Sequence, residues 1–369
     1  MNPAIQKTLT LVLLIVIGYC LKSKIKTADQ RKGIKTLILS IALPAMIFVA
    51  LLKIEIEPAL IYLPIGILAL NFLLFFIAKW TISWFGIAKD SKDARTWMML
   101  MPSFAPGLCC FPFLIEYASD ESLALAALTD VGNKVFVLIV LYLLAVRWHY
   151  QTQNLEKQSS AERIKSLLTS MIKEPVNAVI LLAILMLAFG LNMASLPLFL
   201  QDGIGRMSLL MTPMVLLFIG IAVRIDWQQF RKIGMLLVFR SACAFLISAL
   251  LLAVLPSSIS AALLIVIVAF PQSAASFWPF AHISAVNDME TDKDKTFNTD
   301  FALNILALSL PFSTVVMLCI CSMQSFFLNS LHLFLMGLVL LVVALLPKVL
   351  VALKARMGSR KVVVKVIRE

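Results

Sequence analysis

The stretch PSFAPGLCCFPF at residues 102–113, with LALAALTDVGNK at 123–134 after a short acidic turn, decides how this chain is to be read. It places Pro102, Pro106, Gly107 and Pro112, then Asp130, Asn133 and Lys134, within a run otherwise apolar enough to face lipid. Proline removes a backbone donor and clashes with the turn before it. A carboxylate and an ammonium are costly at membrane depth and usually face a bundle interior or a water-filled cavity. An ordinary membrane helix has little use for such residues, so the stretch reads as half of a binding site held between helices. The other half is expected elsewhere in the chain.

Composition points the same way. A soluble domain is about 45–50% apolar and about 25% charged, whereas this chain is 61% hydrophobic and 14% charged over 369 residues, with mean hydropathy +0.96. It is therefore an all-α polytopic membrane protein by expectation. The net charge of +12 would suggest nucleic acid in a soluble protein, but in a membrane protein the position of the charges carries the information, and no nucleic-acid partner is expected. The six cysteines, Cys20, Cys109, Cys110, Cys243, Cys319 and Cys321, lie in apolar segments without metal spacing. They read as packing residues, and no metal site is expected. The opening MNPAIQK has one lysine and no small-residue cleavage site after its apolar run, so the first segment is expected to stay in the mature protein.

A membrane crossing takes about 20 apolar residues. That ruler predicts eleven spans, at roughly 5–21, 36–52, 58–84, 96–118, 121–146, 175–194, 204–223, 233–255, 258–284, 298–322 and 328–350. With the N-terminus outside, 26 of the 32 Lys and Arg residues fall in inside segments and only Lys7, Lys53 and Arg206 fall outside. The positive-inside rule then predicts an external N-terminus and a cytoplasmic C-terminus; the membrane expected is a bacterial-type inner cell membrane. Lys79, Lys134 and Arg240 remain within predicted spans. Lys79 can snorkel from the end of the third span; Lys134 sits deeper.

The chain also repeats itself. Pro3 and Gly18 recur as Pro175 and Gly190, both at an offset of 172; Pro44 recurs as Pro213 at 169, Pro112 as Pro279 at 167, and Thr129-Asp130 as Thr299-Asp300 at 170. Each repeat would hold five spans, an odd number, so the second copy must cross the membrane in the opposite sense. The expected domains are a first five-helix repeat at 1–147, a cytoplasmic linker at 148–174, a second inverted repeat at 175–323, and an additional eleventh helix with a basic tail at 324–369. Inverted repeats are the usual build of secondary transporters, whose sites lie where discontinuous helices meet near the bilayer midplane.

Span four, with its prolines at 102, 106 and 112, and span nine, with Pro271 and Pro279 around QSAASFW, are each expected to be kinked or unwound in the middle. Backbone freed at membrane depth is tolerated where it lines a cavity or is buried in protein. Each broken span is followed by a helix with polar groups spaced to share one face, Asp130, Asn133 and Lys134 in one and Asp300 and Asn304 in the other. Two readings stand for these groups. In one, Asp130 and Lys134 are a neutralised i,i+4 pair that holds the fold. In the other, Lys134 or Arg240 balances an anionic substrate while Asp130 or Asp300 carries a proton or positions a polar partner. Gln272, Ser273 and Ser276 are suited either to hydrogen-bonding a carboxylate or to interhelical packing.

At these residues the sequence resembles the auxin efflux carrier family of permeases, within the bile-acid-symporter-like superfamily. The resemblance rests on residues 107–113, GLCCFPF, set against a glycine-rich turn of the family, and above all on LALAALTDVGN at 123–133. LPAMIF at 43–48 and TPMVLLFIGIAV at 212–223 add to it, and it runs over spans one to ten. It implies a ten-helix inverted-repeat fold with a scaffold part and a transporting part. The fourth and ninth helices would cross at their unwound centres, and the substrate would be a small organic anion such as a carboxylate. Taken together, the breaks, the polar faces and the buried charges give a candidate site of Ala105, Pro106, Gly107, Pro112, Asp130, Asn133, Lys134, Arg240, Pro271, Gln272, Ser273, Ser276, Asp300 and Asn304. The chain departs from the family pattern where Phe104-Ala105-Pro106 stand in place of an Asn before Gly107, and where Cys110 stands at the family's second glycine.

The function expected is therefore secondary transport of a small organic anion by alternating access. No cofactor is expected beyond a coupling proton or sodium ion, and the expected partners are the substrate, the lipid bilayer and a second copy in a homodimer. A membrane enzyme is disfavoured, because His149, His282 and His332 are scattered and neither HExxH nor GxSxG occurs. A transporter-like sensor or partner protein is the alternative, with the 148–174 loop as its contact.

Overall fold

The computed structural model describes residues 3–52, 58–153, 175–222, 227–256, 259–287, 290 and 295–346. The rest of the linker at 154–174, the basic tail beyond 346, and Lys53, Arg224 and Lys293 among the orientation charges lie outside the described residues. Among the described residues the chain is helical and has no strand. In chain order the helices are α1 (Pro3–Leu21), α2 (Asp29–Leu51), α3 (Tyr62–Phe85), α4 (Lys92–Leu100), α5 (Phe111–Tyr117), α6 (Asp120–Thr152), α7 (Pro175–Ala188), α8 (Leu198–Ile221), α9 (Trp227–Val254), α10 (Ala261–Ala269), α11 (Phe277–Asn287), α12 (Thr299–Ser322) and α13 (Ser330–Leu346). Among the described residues, seven stretches are long and apolar enough to cross a membrane: α2, α3, α6, α8, α9, α12 and the α10–α11 stretch.

The helix starts follow local chemistry. Ser91 caps α4 by accepting from the Ala94 amide at 3.2 Å, and Ser119 caps α6 by accepting from the Ser122 amide at 3.1 Å. Asp120 and Glu121 then lie in the first turn of α6, where the helix dipole favours negative charge. Asn298 does the same for α12 through the Phe301 amide. Each such cap is worth about 1 kcal/mol. Of the spanning stretches α6 is the most enclosed, with 78% of its apolar window buried against 39% for α3 and α8. That makes α6 the post around which the site is built.

Close backbone approach fixes several helix pairs. A Cβ on Gly132 of α6 would lie 1.9 Å from the Pro64 carbonyl of α3. In the same way Gly18 of α1 meets the Leu217 carbonyl of α8 at 2.2 Å, and Gly220 of α8 meets Ile15 at 2.1 Å. Gly190 is needed for another reason, since at φ 71° it makes the left-handed turn after α7. The two glycines matched in the sequence, Gly18 and Gly190, thus serve packing in one case and termination in the other. α1 packs along the Met211–Ala222 half of α8, while α7 packs along the Leu43–Leu51 part of α2. Lys79 is exposed near the end of α3, in the turn that closes at Thr81.

Candidate functional site

Both proline-bearing spans are broken, and the breaks are narrower than the prolines suggested. α4 ends at Leu100, a single turn follows at Pro106–Cys109, and α5 resumes at Phe111; α10 ends at Ala269, a 3-10 turn covers Phe270–Gln272, and α11 resumes at Phe277. Pro112 and Pro279 therefore sit in the first turns of α5 and α11, where a missing amide costs nothing. The interruptions belong to Pro102 and Pro271.

The two interruptions meet. The Ala105 amide donates to the Ala274 carbonyl at 2.8 Å. The Ala274 amide donates to Cys109 Sγ at 3.0 Å, and that thiol donates to the Ala105 carbonyl at 3.3 Å, closing a ring of three bonds between the two segments of the crossing. The Ser276 amide donates to Ser103 Oγ at 3.1 Å and the Ala275 amide to Ser309 Oγ at 3.3 Å. Phe104 and Phe270 meet edge to face, their centroids 5.8 Å apart.

Arg240, from α9, lies across the ends of both half-helices. Its Nε donates to the Met101 carbonyl at 2.9 Å, one Nη to the Ser273 carbonyl at 2.7 Å and the other to the Ser103 carbonyl at 2.8 Å, with the Phe104 ring 5.0 Å from the guanidinium carbon. Those carbonyls are the ones the breaks set free, and they carry the negative end of each half-helix dipole. Arg240 is 4% exposed, so a charge placed deep in the bundle is compensated by backbone carbonyls.

α6 holds the other side. Asn133 accepts the Phe104 amide at 3.2 Å and donates to the Phe104 carbonyl at 3.0 Å and to Asp130 Oδ1 at 2.8 Å. The side chain thus satisfies both backbone groups of one unwound residue. Lys134 Nζ stands 3.8 Å from Asp130 Oδ2, and all three of these side chains are buried. From α3, Asn71 donates to the Pro102 carbonyl and to Asn133 Oδ1, while its own Oδ1 is buried without a partner among the described residues. Gln272 pairs with Ser241 of α9, accepting its hydroxyl at 2.7 Å and donating to its carbonyl at 3.1 Å, and the Ser273 hydroxyl donates to the Phe270 carbonyl at 2.6 Å.

The structure thus gathers Ala105, Pro106, Asn133, Arg240, Pro271, Gln272, Ser273 and Ser276 at or against the crossing, with Asp130 and Lys134 bonded to it through Asn133. Gly107 lies in the single turn beside it, where an added Cβ would meet only the end of the Leu43 side chain at 2.7 Å. Asp300 is a correction: it is exposed in the first turn of α12. Asn304 lies one turn further on and is half-buried. The residue by which α12 reaches the crossing is Ser309. Sequence reasoning passed over Ser309, Ser103, Asn71, Ser241 and Cys109. A signal existed for Asn71, a lone amide in the apolar run of α3, and for Ser103, which sits in the break itself.

No cluster of three or more His, Cys, Asp or Glu suited to a metal occurs among the described residues. A family model described as membrane transport protein matches residues 3–282. No curated protein matches the chain.

Proposed function

The chain belongs to the membrane transport protein family, that of the auxin efflux carriers, and from that premise we propose that this multi-pass membrane protein moves a small organic anion across the bilayer by alternating access. The observation that carries the reading is the direct backbone bond between Ala105 and Ala274, where two interrupted helices meet in the interior. Discontinuous helices of transporters aim the amides of their half-helix N-termini at anionic groups. The Ala274 amide is held by a thiol and the Ala275 amide by a hydroxyl at 3.3 Å. Sulfur is a weak acceptor, and a carboxylate oxygen is a strong one. A bound carboxylate replaces these two bonds with better ones, whereas Arg240 is kept by its three carbonyls and holds the half-helices together. Asp130, linked to the crossing through Asn133, is the group proposed to carry a coupling proton.

Two inverted five-helix repeats form the proposed build, with eleven crossings in all, the N-terminus outside and the C-terminus inside. Reciprocal packing supports it, since α1 of the first half lies on α8 of the second while α7 of the second lies on α2 of the first. These four helices make a natural scaffold for the crossing pair. The 26-to-3 distribution of basic residues supports the orientation.

Reconstituted protein should accumulate or release labelled small carboxylates in liposomes, and Asp130→Asn should abolish coupled flux while leaving the protein folded. Absence of flux for every carboxylate offered, together with tight binding of a soluble partner, would replace the transport reading with that of a sensor. Undiminished coupled flux in Asp130→Asn would remove the proton role.

A further inference from the structure

One cavity of the molecule lies away from the crossing, at the end of the bundle where α3 finishes, α4 starts and α6 runs out. Its volume is about 890 Å³, and four cations line it: Lys79, Lys89, Arg95 and Arg147, against the single carboxylate of Asp90. Arg95 is fixed in place, its Nε donating to the Thr296 carbonyl and one Nη to the Asp90 carbonyl, both at 2.8 Å. Lys79, Lys89 and Arg147 are exposed, and no acidic side chain among the described residues forms an ion pair with any of them. Positive charge of this density gathered around a concavity needs an anion.

The rim tells which kind. Trp80 lines the cavity and is 66% exposed, and Phe76, 44% exposed, lies beside it with ring centroids 6.1 Å apart. Both belong to the face of α3 that also turns Phe72 and Leu73 outward, the face that lipid covers in a membrane. An aromatic lip on the outward face of α3 thus borders the cavity. Trp148 forms the inner wall, held by Phe75 on one side and Phe297 on the other. Tryptophan at this depth marks the membrane–water boundary, and basic hollows between membrane helices at that boundary suit lipid headgroups.

We propose that this cavity binds the phosphodiester headgroup of an anionic phospholipid, with Lys79, Lys89 and Arg147 on the phosphate and an acyl chain laid along Phe76 and Trp80. The site stands apart from the crossing and does not depend on the transport reading. Occupied, it would tie the ends of α3 and α6, the two helices that carry Asn71 and Asn133, to the α3–α4 turn.

The test uses the full chain purified in detergent, with its melting temperature followed during titration with dioctanoyl phosphatidylglycerol, dioctanoyl phosphatidylcholine and glycerol phosphate. Phosphatidylglycerol should raise the melting temperature saturably and phosphatidylcholine should not. The Lys79→Gln/Arg147→Gln variant should melt normally without lipid and bind phosphatidylglycerol about tenfold or more weakly. If that variant fails to fold, Lys89→Gln alone should still weaken binding of the anionic lipid relative to wild type. Equal responses to the two lipids, or undiminished phosphatidylglycerol binding in the variants, would overturn the proposal. Glycerol phosphate binding as tightly as the lipid would overturn the lipid assignment and give the cavity to a soluble phosphate.

Discussion

Arg240 and Cys109 show how differently two side chains can hold one junction. The arginine fork takes three carbonyls that no amide of either half-helix can reach. In Arg240→Met those carbonyls stay buried and unpaired. An unsatisfied buried group costs about 1–3 kcal/mol, so the variant should lose about 3 kcal/mol or more of stability, read as a fall in melting temperature in detergent. Arg240→Lys should recover little of it, because one ammonium cannot span three acceptors set in a plane. Cys109 works on the other side of the balance. Cys109→Ser puts a stronger acceptor on the Ala274 amide, so it should leave stability equal or higher and raise the KM for transported carboxylate, measured in liposomes. Sequence alone offered Arg240, or Lys134, as a charge to balance a substrate and marked Cys109 as packing. Nothing in a one-dimensional reading says that three carbonyls from two distant segments will converge on one guanidinium, whereas the break that frees them was plain in Pro102 and Pro271.

Helix starts, more than motifs, decided which polar groups reached the interior. The Thr-Asp pairs at 129–130 and 299–300 look alike in sequence, yet Asp130 comes more than two turns into α6 and Asp300 in the first turn of α12. Depth is set by where the cap falls. Asn298 before Thr299-Asp300 has the form of a helix start, an N-cap followed by an acid, and weighing that would have put Asp300 at a helix end and directed attention further along to Ser309. The breaks themselves and the shared face of Asp130 and Asn133 were legible, because proline chemistry and three-residue spacing are local. The approach of α3 to α6 was not, since Gly132 became informative only once its neighbour across the contact was known. Gly132→Ala should force the two helices apart, with an overpacking cost of about 1–3 kcal/mol. Gly66→Ala, on α3, meets nothing within 4 Å and should be neutral or gain up to about 1 kcal/mol. Parallel thermal unfolding of the two variants checks the contrast.

Across the whole molecule a second set of bonds ties the segment before α12 to the first half of the chain. Glu290 meets His149 Nδ1 at 2.6 Å and accepts the Thr296 amide at 2.8 Å, Arg95 reaches the Thr296 carbonyl, and Asn298 donates to Asp93, which also faces Lys232 at 3.5 Å. Burial pushes the Glu290 carboxyl up, but the Thr296 hydroxyl and amide and the His149 ring outweigh it and hold it below the usual carboxylate range. A lowered native value means stability that is complete above the ordinary carboxylate pKa of about 4.3 and is lost as pH falls through the lower native value. The gap in melting temperature between wild type and Glu290→Gln should therefore be open at pH 7 and close below about pH 4. The crossing has one further consequence at this scale. The amides of Phe104, Ala105, Ala274, Ala275 and Ser276 are all occupied by partners from the protein itself, so the crossing is closed by its own bonds. No backbone donor is left unpaired at these five positions, so any group that enters there must first displace a bond the protein already makes with itself.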